Sequence, residues 1–100
     1  MTMMTTEIAL ARLSRDTFDS TALEQLYTLN SREVRKTIEQ WFGHDSIFDY
    51  ALSWVMARLA QHATQFRPER QTPEAFVAEM VNAECRRVHE VLARTRGSLG

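Results

Sequence analysis

Thr21-Ala-Leu-Glu-Gln-Leu-Tyr-Thr-Leu-Asn-Ser-Arg-Glu-Val-Arg-Lys-Thr-Ile-Glu-Gln-Trp-Phe-Gly43 is the stretch on which the fold reading turns. Leu23, Leu26, Tyr27, Val34, Ile38 and Trp41 recur at spacings of three and four residues, and only Asn30 interrupts them. That period puts them on one face of a helix of about five turns, whereas a strand would alternate its faces. Thr21 and Glu24 read as a capping box at the start. Gly43 reads as the stop, because glycine readily takes the positive φ that ends a helix.

The rest of the chain repeats this pattern. Ile8, Ala9, Leu10 and Leu13 predict a short first helix from Thr6 to Arg15. A third helix is expected from Asp45 or Ser46, either one a suitable cap, with Phe48, Leu52, Val55, Met56 and Leu59 turned inward. It should end before the polar loop Phe66-Arg-Pro-Glu-Arg70. Thr72 as N-cap, Pro73 at the first helical position and Glu74 in the first turn are the preferred chemistry of a helix start. The fourth helix then buries Val77, Met80, Val81, Val88, Val91 and Leu92 and frays after Thr95. Four one-sided helices must cover each other's apolar faces. The expectation is therefore an all-α fold, a compact bundle of about four helices formed by residues 1–100 as a single domain.

Composition agrees and limits function. Three glycines and two prolines in 100 residues leave few breaks for a many-stranded fold. One cysteine, Cys85, forms no internal disulfide, and a reducing, cytoplasmic setting is expected. No apolar run reaches the length of a membrane span, and the first residues lack the pattern of a secretory signal. The net charge is −1, but it is unevenly spread: residues 1–57 hold five Lys/Arg against eight Asp/Glu, and residues 58–100 hold seven arginines against five glutamates. Arginine offers a planar donor fork suited to phosphates and base edges. A solvated helix face explains the same residues equally well.

Chemistry-bearing constellations are sparse. Cys85 and His89 stand four apart and share a helix face, yet a structural zinc asks for four ligands and no second pair is present. His44-Asp45 is better explained by a capping aspartate than by a catalytic pair. Neither a nucleophile elbow nor a glycine-rich phosphate loop occurs. No catalytic residue, metal or cofactor is expected, and the chain reads as a non-enzyme. Tyr50 and Trp54 lie off the apolar stripe of the third helix. They suggest either an exposed contact surface or packing against the first helix.

The order of these pieces resembles region 2 of bacterial RNA polymerase sigma factors, above all the extracytoplasmic-function group. Leu23-Glu-Gln-Leu-Tyr27, Ser31-Arg-Glu-Val34 and Trp41-Phe-Gly43 are similar to that domain's opening helix. Ala57-Arg-Leu-Ala-Gln-His-Ala-Thr-Gln-Phe-Arg-Pro-Glu-Arg70 resembles the end of its next helix and the loop after it. Pro73-Glu-Ala-Phe-Val77 and Met80-Val-Asn-Ala-Glu-Cys-Arg-Arg87 resemble the start and middle of the following helix. The likeness covers residues 21–94 and rests on many soft positions in order.

This resemblance implies a domain that docks on the β′ subunit of RNA polymerase core and holds melted, mainly single-stranded promoter DNA. The implied partner surface is Asp49, Tyr50, Ser53, Trp54 and Arg58. The implied DNA contacts are Arg67, Arg70 and Gln71 in the loop, with Phe76, Asn82, Arg86 and Arg87 on the helix over 72–94. The loop and the Arg86–Arg87 pair should then share one exposed cationic rim, with an unstacked base in a pocket of the loop. An anti-sigma protein or a homodimer would be the other expected partners, and no membrane. Two departures stand out: Ser53-Trp54 occupies the place of a polar-acidic pair, and Asn82-Ala83 replaces a small residue followed by Asn. The second, helix-turn-helix domain of that family has no counterpart in these 100 residues. The alternative reading is a non-catalytic helical interaction or dimerisation module that keeps the fold without the promoter binding.

Overall fold

In a computed structural model, residues 3–44 and 46–99 are described, the last four of them as backbone alone. Four α-helices follow in order: α1 (Thr6–Arg15), α2 (Ser20–Phe42), α3 (Ile47–His62) and α4 (Pro73–Leu99). A 3₁₀ turn, Ala63–Gln65, extends α3, and no strand occurs among the described residues. The fold is an all-α four-helix bundle. It measures 54 × 24 × 23 Å, and the long axis reflects the 27 residues of α4, about 40 Å of helix at 1.5 Å per residue.

The core lies where the four apolar stripes meet. α1 gives Ala9, Leu10 and Leu13; α2 gives Ala22, Leu26, Val34 and Ile38; α3 gives Phe48, Ala51, Val55 and Leu59; α4 gives Phe76, Val77, Val81, Cys85 and Val88. Two expected core residues are corrected: Ile8 and Val91 are exposed. Ile8 precedes the Ala9–Leu13 stripe by one position, so helical rotation carries it about 100° away. Asn30, the polar break in the α2 stripe, is used for docking. Its Nδ2 donates to Thr6 Oγ1 at 3.2 Å and to the Leu26 carbonyl at 2.9 Å, tying α2 to the buried first residue of α1.

The start of α2 is also corrected. Asp19, not Thr21, caps it: the carboxylate accepts from Ala22 N at 3.0 Å and is held by Arg12 at 2.9 and 3.2 Å. A charged cap gripped by a guanidinium from α1 provides stronger hydrogen bonds than a threonine hydroxyl. The other end matches expectation, with Gly43 at φ 69° and ψ −154°. The expected Asp45 cap of α3 lies outside the described residues, and Ser46 makes no capping bond with its side chain. At α4, Thr72 Oγ1 accepts from Ala75 N at 3.1 Å, as its position before Pro73 predicts. α4 remains helical to Leu99, beyond the point where fraying was expected.

Candidate functional site

Three residues of α3, Trp54, Arg58 and His62, stand four apart and line one edge of that helix. That edge packs on α4 at Glu84, whose side chain is only 2% exposed. Trp54 Nε1 donates to Glu84 Oε2 at 3.0 Å. Arg58 Nε stands 3.5 Å from the same oxygen, while His62 Nε2 and Arg87 Nε each stand 3.8 Å from Oε1. Gln65 Nε2 donates to His62 Nδ1 at 2.9 Å. Arg58 Nε and His62 Nε2 are themselves buried and lack a hydrogen bond of good geometry. The carboxylate itself is buried while Arg58 and Arg87 reach it from partly exposed positions, so losing one member leaves Glu84 less well compensated.

This arrangement corrects the reading of Trp54 as an exposed aromatic. Trp54 is partly buried against the core, and its indole bonds α4. Tyr50 is 50% exposed and lies beside Trp54, with ring centroids 6.3 Å apart and the planes tilted by 48°. Asp49 and Ser53 are exposed, together with Ala57 and Gln61, so α3 does present an outer face. Of the residues assigned to partner binding, Asp49, Tyr50 and Ser53 lie on that face, whereas Trp54 and Arg58 turn to Glu84.

The loop over 66–71 is a built turn. Phe66 packs on Phe76 with centroids 5.4 Å apart, and Phe76 is buried. Arg67 Nη1 donates to the carbonyls of Thr64 and Phe66 at 2.8 and 3.0 Å. Arg70 N donates to the Arg67 carbonyl at 3.0 Å, closing the turn. Arg67 and Arg70 remain exposed. Beside the turn, a recess of about 220 Å³ opens against α1, lined by Leu10, Ala11, Ala63 and Phe66, with Arg67 and Glu7 also on its wall.

The residues of α4 expected to touch DNA separate. Phe76 is a core residue, because its first-turn position faces Phe66. Arg87 leans toward Glu84. Asn82 is exposed, but its Oδ1 accepts from Trp41 Nε1 of α2 at 3.0 Å. Arg86 points outward and makes no hydrogen bond or ion pair within the described residues. On the helical net it lies between Glu79 and Glu90, both exposed. Thirteen residues from the start of α4, Arg86 is about 20 Å along the axis from the loop. The expected single cationic rim is therefore two patches, and the one on α4 is flanked by carboxylates.

Glu84 was missed in the sequence reading. The only available signal was a glutamate at an inward position between Val77, Val81 and Val88. Cys85, next to it, is buried, and its thiol is pushed up to about 11 by burial and by the charge of Glu84. His89 is exposed and packs its ring 5.6 Å from Trp41, on the same face as Asn82. No group of three or more His, Cys, Asp or Glu suited to a metal ion occurs among the described residues. No helix among them is long and apolar enough to cross a membrane.

Fold and site together define a helical bundle with a buried carboxylate seam and an arginine-bearing turn. The chain matches no family model, no curated protein and no solved structure.

Proposed function

We propose that this chain is a non-catalytic, sigma region 2-like module of transcription initiation. In this reading the outer face of α3 docks on RNA polymerase core, and the 66–71 turn, with α4, holds melted promoter DNA. One observation carries it: an ordered turn displays Arg67 and Arg70 beside a 220 Å³ recess walled by Phe66. Exposed guanidinium groups follow a phosphate backbone, and an apolar recess with an aromatic wall accepts an unstacked base.

The test is fluorescence anisotropy of a labelled single strand at rising salt, with a duplex of the same sequence in parallel. The proposal expects binding that favours the single strand and weakens with salt. Arg67→Ala combined with Arg70→Ala should lower affinity and reduce the salt slope by roughly 1.4, two contacts at about 0.7 each for a single strand. Equal affinity for duplex and single strand, or no salt dependence, would reject the DNA role.

A second reading, a protein-binding module without DNA work, is favoured by one observation. Phe18 is 91% exposed on the α1–α2 turn, beside a groove of about 330 Å³ lined by Leu23, Ala57 and Ala60. Co-purification with polymerase core separates the readings. Capture by core together with single-strand binding supports the first; capture with no nucleic-acid binding supports the second.

A further inference from the structure

Phe18 is 91% exposed, yet the turn that carries it is fixed on both sides. Its backbone N–H donates to Asp16 Oδ1 at 2.9 Å, and Asp19 N donates to the Asp16 carbonyl at 3.1 Å. Asp19 in turn is bonded to Arg12 and to Ala22 N. The ring therefore stands in water on a braced support. Beside it opens the groove of about 330 Å³, where Leu23 of α2 and Ala57 and Ala60 of α3 supply apolar surface. A dry cavity of about 150 Å³ already holds a benzene molecule, so this groove has room for a phenyl ring. We propose that this patch is the contact face of a homodimer, in which Phe18 of each copy enters the groove of the other across a two-fold axis. Such a dimer requires neither DNA nor polymerase, so it goes beyond both readings above.

A two-fold axis presents a patch to its own image, so only a self-complementary patch closes. Here the protruding ring and the hole lie side by side on one chain, and a single rotation fills both holes. An unrelated partner would have to bring a knob and a hole of its own. Charge permits the same pairing. The residues lining the groove are uncharged except Asp19, and Asp19 is already held by Arg12 at 2.9 Å. Like charges brought face to face would oppose association, and this lining brings no unpaired one to the axis. The braced turn also reduces the ordering cost of docking the ring. Size sets the strength. Two aromatic side chains and the walls they cover come to roughly 800 Å². That falls below the about 1,000 Å² of a firm interface, so the dimer is reversible, with a Kd on the order of tens of micromolar.

Sedimentation equilibrium of the full chain from about 1 to about 500 µM brackets that affinity. The mass of wild type should rise toward twice the monomer and level there. Because the contact is apolar, the affinity should hold as salt rises from about 0.1 to about 0.5 M, a range that screens exposed charges. Phe18→Ser removes the knob, and Ala57→Arg puts a charged stem into the hole. Each should weaken dimerisation by about tenfold or more, the loss expected for a central anchor. Both residues are exposed, so the bundle should survive, and circular dichroism checks that it does. Wild type that stays monomeric at the highest concentration overturns the dimer; capture of that monomer by polymerase core would still support the protein-binding reading. Dimers that neither substitution weakens place the contact elsewhere and overturn this face. Dimers that Phe18→Ser breaks and Ala57→Arg leaves intact show that the ring does not use the groove, and overturn it equally. Association that dissolves with salt, or that grows past two copies without levelling, overturns the closed apolar two-fold.

Discussion

The indole Nε1 of Trp54 donates to Glu84 Oε2 at 3.0 Å, a hydrogen bond between the third and fourth helices across 30 residues of sequence. It joins a half-buried aromatic to a carboxylate that is 1% exposed. Burying a charge is costly unless it is paired and hydrogen-bonded. Arg58 and Arg87 provide the pairing and Trp54 the hydrogen bond.

Glu84→Ala should therefore destabilise the bundle by about 1–3 kcal/mol, since it leaves the Trp54 indole N–H without its acceptor and Arg58 without its countercharge. Glu84→Gln keeps an acceptor for Trp54 and should lose less. Urea denaturation at neutral pH measures both. Equal stabilities of wild type and Glu84→Ala would show that the seam is neutral to folding.

Cys85 should be inert in the native state. Its thiol is buried, and its pKa, raised to about 11, leaves little thiolate at pH 8. Modification by a thiol reagent should follow global opening and accelerate sharply across the urea transition. Fast labelling in native buffer would contradict the burial of this face of α4.

Asp19 links stability to pH. The backbone N–H of Ala22, with the Arg12 guanidinium, holds its carboxyl below the ordinary value of 3.8. A depressed folded pKa stabilises above the unfolded value, and the contribution disappears as pH falls through the folded one. Asp19→Asn keeps a capping side chain without the titration. Wild type should thus lose more stability than Asp19→Asn between pH 5 and pH 2, about the range in which such carboxylates protonate. Parallel pH dependences would remove Asp19 from the acid response.

Gly43 combines φ 69° with ψ −154°, a region nearly exclusive to glycine. A Cβ there would meet nothing within 4 Å, so the cost of substitution is backbone strain and not a clash. Gly43→Ala should cost about 1–3 kcal/mol, and Gly43→Asn should not recover it, because asparagine relieves the ordinary left-handed conformation only. Thermal melts of the two variants check this; a near-native Asn variant would place Gly43 in a different conformation.

The helices were legible because their signals are local. The α2 stripe, the Gly43 stop and the Thr72–Pro73 start each depend on residues within a few positions of one another, and backbone geometry converts that spacing directly into a face or a cap. The Asp19 cap was missed because its advantage over Thr21 comes from Arg12, a residue of another helix. Their place off the apolar stripe of α3 marked Tyr50 and Trp54 as alike, yet one is exposed and the other bonded to Glu84.

Spacing along the chain was enough to specify four amphipathic helices and the polar turn between the last two, since a helix repeats every 3.6 residues whatever it packs against. Which side chains pair from one element to another was decided only when the helices met. Glu84 found three nitrogen partners from α3, Asn82 found Trp41, and Phe76 found Phe66. Those contacts depend on the rotation and crossing of helices tens of residues apart, and no local period encodes them.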